Sequence, residues 1–170
     1  MKQKTINVYE FDELKPEIQE RVLEHFRENE EFSFLKDYLE EDLSEELRKN
    51  KIKEMEETTL RYSLSNCQGD GLSFIGLFKW KCYIIRIKEG SLSNLYSHKY
   101  TTDILIETNA GNEVKPKIEK EFEEIYFKIC DKLEKRGYKY IEETLSEGNI
   151  KENIGINEYT FRDNGEIEAI

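Results

Sequence analysis

The strongest constraint in this chain is that the spacing of its apolar residues changes period twice. Leu14, Ile18, Val22 and Phe26 recur at every fourth position, and so do Leu35, Leu39, Leu43 and Leu47, with Phe34 and Tyr38 beside them. Each set marks one face of a helix. After Met55 the repeat shortens to two: Leu60, Tyr62 and Leu64 alternate with Thr59, Arg61, Ser63 and Ser65. That pattern fits a strand with one buried face. Beyond Pro116 the helical spacing returns with Ile118, Phe122, Ile125, Ile129 and Leu133. Strands therefore occupy one block between helical blocks. Such segregation implies an α+β fold: an antiparallel meander of about four strands packed on one face by helices, closed by a C-terminal hairpin.

Local signals divide these blocks into elements. Val8-Tyr9-Glu10-Phe11 reads as a short extended lead-in, Pro16 suits a first helical turn, and Ser33 is the expected N-cap of the second helix. Gly69-Asp70-Gly71 breaks the first strand. Leu72 to Ile75 and Trp80 to Ile87 read as the next two, the latter apolar on both faces and so central. A loop spans 91–100, a strand spans Thr102 to Thr108, and Ala110-Gly111-Asn112 ends it. Gly137 is expected to cap or interrupt the long helix, after which Tyr140, Ile141, Thr144 and Leu145 resume the pattern. Ser146 is placed to cap a short helix carrying Ile150 and Ile154. Tyr159-Thr160-Phe161, a turn at Asp163-Asn164-Gly165 and the stretch from Glu166 to Ile170 form the hairpin. No linker or repeat divides the sequence, so residues 1–170 are expected to form a single domain.

Charge narrows the partners. The chain has 37 Asp and Glu against 26 Lys and Arg, a net charge of −11. An acidic chain lacks the basic face that neutralises phosphates, so direct nucleic-acid binding and an anionic membrane partner are not expected. A protein with a basic surface is. Cys67, Cys82 and Cys130 are odd in number and widely spaced, with no CxxC pair. They point to reduced thiols in a cytoplasm rather than to a disulfide framework or a zinc site. The basic start at Met1-Lys2-Gln3-Lys4 is not followed by an apolar stretch, unlike a signal peptide. No cofactor or metal is expected.

The most unusual local sequence is Asn66-Cys67-Gln68-Gly69-Asp70-Gly71. As a tight turn, it uses glycine for positive φ and Asp to cap its own backbone. As a ligand loop, it brings backbone N–H groups and the Gln68 and Asp70 side chains to a bound molecule. It lacks the Lys-Ser/Thr and helix start of a phosphate-cradling P-loop. His98 lies between strands in Leu95-Tyr96-Ser97-His98-Lys99-Tyr100 and is either a loop surface residue or a ligand contact beside Tyr96. His25, next to Phe26, reads as a helix-edge residue. Cys67, His98 and Asp70 are the residue types of a nucleophile, base and orienting acid, and an enzyme of this site is the third alternative, but nothing in their spacing shows that they meet and no catalytic residue is assigned. The second helix carries Glu40, Glu41, Glu45 and Glu46 opposite its apolar stripe. Carboxylates three or four apart sit about 5–6 Å from each other at Cβ. They form either a solvated surface or rows that mimic a phosphate backbone and fill a basic groove.

Several of these pieces together resemble a family of small phage and prophage proteins. The start Val8-Tyr9-Glu10-Phe11-Asp12-Glu13-Leu14, with Gln19 soon after, is similar to that family's YxFDEL entry. Gln68-Gly69-Asp70-Gly71-Leu72-Ser73-Phe74 matches that family's strand ending in QGDG-x-x-F, with Leu72 where the family has a small residue. Tyr96 with His98, and the Tyr159, Phe161, Asn164 and Gly165 hairpin, complete the likeness. Members are sometimes labelled antitoxin-like. The resemblance implies an accessory protein in the cytoplasm of a bacterial host cell, acting by binding. Three roles follow as expectations: an inhibitor of a bacterial defence system, anti-CRISPR-like or otherwise, through Glu40, Glu41, Glu45 and Glu46; a nucleotide-signal binder through Gln68, Gly69, Asp70, Gly71, Tyr96 and His98, with Arg61, Arg86 and Lys99 as local positive charge; or an antitoxin.

Overall fold

A computed structural model describes residues 7–92, 95–108 and 114–168. The expected strand end at Ala110-Gly111-Asn112, and the last two residues of the expected hairpin, lie outside the described residues. The α+β expectation holds: helices α1 (Pro16–Glu28), α2 (Leu35–Lys49), α3 (Pro116–Thr144) and α4 (Glu147–Ile156) accompany an antiparallel sheet and a C-terminal strand pair. Among the described residues, no helix is long and apolar enough to cross a membrane. The chain gathers into two compact units, one of residues 34–139 and one of residues 7–33 with 140–168.

The larger unit holds a five-stranded sheet. Strands β1 (Ile52–Glu54) and β2 (Thr59–Ser63) both pair with β3 (Gly71–Trp80), which pairs with β4 (Tyr83–Glu89), which pairs with β5 (Thr102–Thr108). All pairings are antiparallel, as in the expected meander. Two boundaries differ from the sequence reading. Trp80 ends β3 instead of opening the next strand, and Lys81-Cys82 makes the turn, with Lys81 at φ 55°. The turn carries no glycine, asparagine or proline, so composition gave no sign of it. β1 was not foreseen, because three residues are too few to show a period.

One face of the sheet is covered by α3. Phe74 packs against Tyr126 with ring centroids 4.7 Å apart, and Trp80 against Phe122 at 5.3 Å. Leu72, Phe78, Ile85 and Leu133 are fully buried in the same layer. Each such side chain contributes about 1.5–3 kcal/mol on burial. Gly137 neither caps nor interrupts α3, which runs on to Thr144. A Cβ there would lie 2.4 Å from Cδ1 of Leu64, so the glycine makes room for a core side chain. Ser33 is not the N-cap of α2; Phe34 holds that position and supplies no side-chain cap bond.

In the smaller unit, α1, α4 and the hairpin β6 (Thr160–Phe161) with β7 (Ile167–Glu168) enclose Phe11, Leu14, Val22, Leu23, Ile150, Ile154 and Phe161. Tyr9 bridges to Phe161 through paired backbone bonds of 2.8 and 2.9 Å, which ties the lead-in to the hairpin. Pro16 opens α1 and Ser146 caps α4 by accepting from the Asn149 N–H, both as expected. Gly165 turns the hairpin at φ +88°.

Candidate functional site

The turn from β2 to β3 is built around Asp70. Its Oδ1 accepts from the Ser63 hydroxyl at 2.8 Å, and its Oδ2 accepts from the Cys67 N–H at 3.0 Å and the Tyr138 phenol at 2.9 Å. Partial burial works to raise the Asp70 pKa, but these donors outweigh it and hold the carboxyl below its usual range. Tyr138 moves the other way: burial and the Asp70 carboxylate push its phenol up to about 12. Asp70 thus pins the turn to its own strand and to α3. Tyr138 and Ser63 escaped the sequence reading; Tyr138 stands 68 positions from Asp70, and no local pattern links them.

The two glycines of the turn receive side chains from the segment before β5. A Cβ on Gly69 would lie 2.5 Å from Cδ1 of Tyr96, and a Cβ on Gly71 would lie 2.8 Å from Cδ2 of His98. Gly69 also sits at φ +98°, where a larger residue is strained. So Gln68, Gly69, Asp70, Gly71, Tyr96 and His98, chosen from the sequence as one ligand set, do meet in space. Their roles differ. Gly69, Asp70 and Gly71 are occupied in holding the fold. His98 is half-buried, stacks on Tyr100 at 4.8 Å and accepts the Tyr100 N–H at Nδ1. That acceptor role places the proton of the neutral ring on Nε2. Gln68 is exposed and Tyr96 is 44% exposed. Beside them opens a cavity of about 260 Å³, lined by Arg61, Ser63, Ser65, Gln68, Tyr96 and Ser97 among others.

Of the three cations expected to serve this site, only Arg61 reaches it, and its guanidinium pairs with Glu89 at 2.9 Å. Lys99 is buried and paired with Asp131, and Arg86 projects from the sheet elsewhere. Cys67 and Asp70 are neighbours in the turn, but Cys67 Sγ donates to the Ser65 carbonyl at 3.5 Å. Among the described residues, no hydrogen bond joins His98 to either of them.

The acidic helix divides differently from its spacing. Glu46, expected on the exposed acidic face as a partner-binding carboxylate, is instead buried at 5% exposure. Its Oε1 accepts from Lys132 at 2.5 Å and from Lys49 at 3.2 Å, with Arg136 at 3.8 Å. Burial alone would raise its pKa, but these cations bring it below the usual value. Asp42 pairs with Arg136, and burial outweighs that pairing to hold its carboxyl above the ordinary range. Glu40 pairs with Lys36 at 3.5 Å and Glu45 with Lys49 at 2.9 Å. Glu41 is exposed and, among the described residues, makes no ion pair. The missed feature is that α3 answers α2 with Lys132 and Arg136, far along the chain.

No protein-family model, no curated protein and no solved structure matches this chain. What the site does is read from its own chemistry.

Proposed function

We propose that this protein acts by binding, and that the turn site recognises a small polar ligand with a planar face, such as a nucleotide signal. One observation carries this reading: Tyr96 lies with one ring edge against Gly69, the residue is still 44% exposed, and it lines one cavity with Gln68 and Arg61. A part-exposed ring anchored along one edge can offer a face for stacking on a base, a contact worth about 1–3 kcal/mol. Gln68 supplies both a donor and an acceptor to a base edge. Arg61 turns toward an anionic group by exchanging its Glu89 partner. The cavity volume of about 260 Å³ suits one ring or one phosphate rather than a whole dinucleotide. Thermal denaturation in the presence of mono-, di- and cyclic nucleotides tests this. The expected outcome is stabilisation by about 2–3 kcal/mol at a ligand concentration near a hundred times Kd, lost in Tyr96→Ala and Gln68→Ala. Unchanged melting across the set counts against it.

A second reading is an inhibitor of a bacterial defence protein, a CRISPR effector or another, docking its basic surface on acidic α2; binding to a toxin as an antitoxin is the same mode. It is favoured by Asp37 and Glu41, exposed one turn apart on a chain of net charge −11, with no ion pair among the described residues.

A further inference from the structure

The sheet has a second face, opposite α3, whose charge is unlike the rest of the chain. Strand alternation puts Leu60, Phe74, Phe78, Trp80, Ile85 and Ile87 in the core. It therefore sends their neighbours the other way. Register assembles these into cross-strand rows. Lys53 lies opposite Lys79, which is followed by Ile84 and Glu107. Leu77 lies opposite Arg86, which is followed by Leu105. Thr59 lies opposite Ile75, and Lys88 opposite Asp103.

Lys53, Lys79, Arg86 and Lys88 are all exposed, and among the described residues none of them makes an ion pair. Only Asp103 and Glu107 oppose them on these rows. Lys53 and Lys79 face each other directly, an arrangement of like charges that destabilises a sheet by itself. Ile75, Leu77 and Ile84 lie half-buried between these cations, and Leu105 is 41% exposed. In a chain of net charge −11, this is an apolar strip flanked by unneutralised cations.

We propose that this open sheet face docks an acidic amphipathic segment of a partner protein. Carboxylates of that segment neutralise Lys53, Lys79, Arg86 and Lys88, and its apolar side chains cover Ile75, Leu77, Ile84 and Leu105. Charge complementarity selects the acidic partner, and the apolar strip selects protein over nucleic acid. A single strand of nucleic acid is held by aromatic stacking, and these rows carry no aromatic side chain. A second copy of the face is excluded by repulsion between like cations.

The test uses the full chain and fluorescence anisotropy with a labelled synthetic peptide of Leu and Glu, roughly four helical turns long, its Leu residues on one face. A scrambled peptide of the same composition and a single-stranded DNA of similar length serve as comparisons. The ordered peptide is expected to bind about tenfold more tightly than the scrambled one, and more weakly as salt rises. Lys79→Glu with Arg86→Glu is expected to weaken it about tenfold, and Lys53→Glu with Lys88→Glu, on the outer rows, gives a second pair should the first fail to fold. Tyr96→Ala is expected to leave the peptide affinity unchanged, which separates this face from the turn site. Equal binding of the scrambled peptide, tighter binding of the DNA, or wild-type affinity in folded charge-reversed variants would overturn the proposal.

Discussion

The β2–β3 turn and the acidic face of α2 were both singled out by residue type, and the fold treats them in opposite ways. At the turn, residues far apart converge: Gly69 and Gly71 receive Tyr96 and His98, and Asp70 receives Tyr138. On α2, residues side by side diverge: Glu41 stays in water, while Glu46 turns inward to Lys132 and Arg136. A glycine needed for close approach leaves a trace in the sequence, because little else fits there. A glutamate looks the same whether it faces water or a buried cation. Composition therefore reports a steric requirement better than an electrostatic one.

The sharpest way to break the comparison is at Gly69. Gly69→Ala combines a left-handed backbone with a Cβ pressed on Tyr96 and is expected to cost about 2–4 kcal/mol, read by denaturant unfolding. Adding Tyr96→Ala should return about 1 kcal/mol of this by removing the clash while leaving the backbone strain. Equal losses in the single and double variants would show that the ring does not rest on that glycine.

Next comes the contrast within α2. Glu46→Gln should destabilise by about 1–3 kcal/mol, since Lys132, Lys49 and Arg136 lose their shared acceptor. Glu41→Lys should stay within about 0.5 kcal/mol, as an exposed site. Similar effects at the two positions would mean that Glu46 is not buried among cations.

The smallest effect is a pH dependence. The Asp70 carboxyl is held below its ordinary pKa, so the unfolded chain takes up its proton first as pH falls. Its contribution is present above the usual aspartate value of about 4 and is lost as pH falls through the depressed folded value. Asp70→Asn should therefore lose about 1–2 kcal/mol at neutral pH and converge with the wild type in acid. A constant difference from neutral to strongly acidic pH would mean that Asp70 is not acting as a bound carboxylate.

Much of the architecture was legible because hydrophobic period is a local property. The stripes at Ile18–Phe26 and Leu35–Leu47, the alternation from Leu60 and the turn at Gly165 appear where the spacing puts them, whereas Leu14 is buried but lies in extended backbone before α1. Errors fell where period or turn chemistry was silent: β1 is too short to repeat, the Lys81-Cys82 turn has no marker residue, and Gly137 looks like a helix end although it admits Leu64. Of the candidate site, the turn at Gly69-Asp70-Gly71 was legible, because glycines beside an aspartate are rare inside a strand block, whereas its contact with Tyr96 and His98 depends on how the chain folds back.

What the sequence determined by itself was therefore the class of fold, most element positions and the glycine turn between β2 and β3. The fold class and the element positions rest on burial periodicity, and the glycines of the turn on local sterics, which need no distant partner. What only the tertiary structure decided was the duty of each polar group: Asp70 held by Tyr138, Glu46 by Lys132, Arg61 by Glu89, and four cations left on the open face of an acidic chain. Charge acts through space over several ångströms, so its partners are fixed by which strands and helices come together, not by how far apart they stand along the chain.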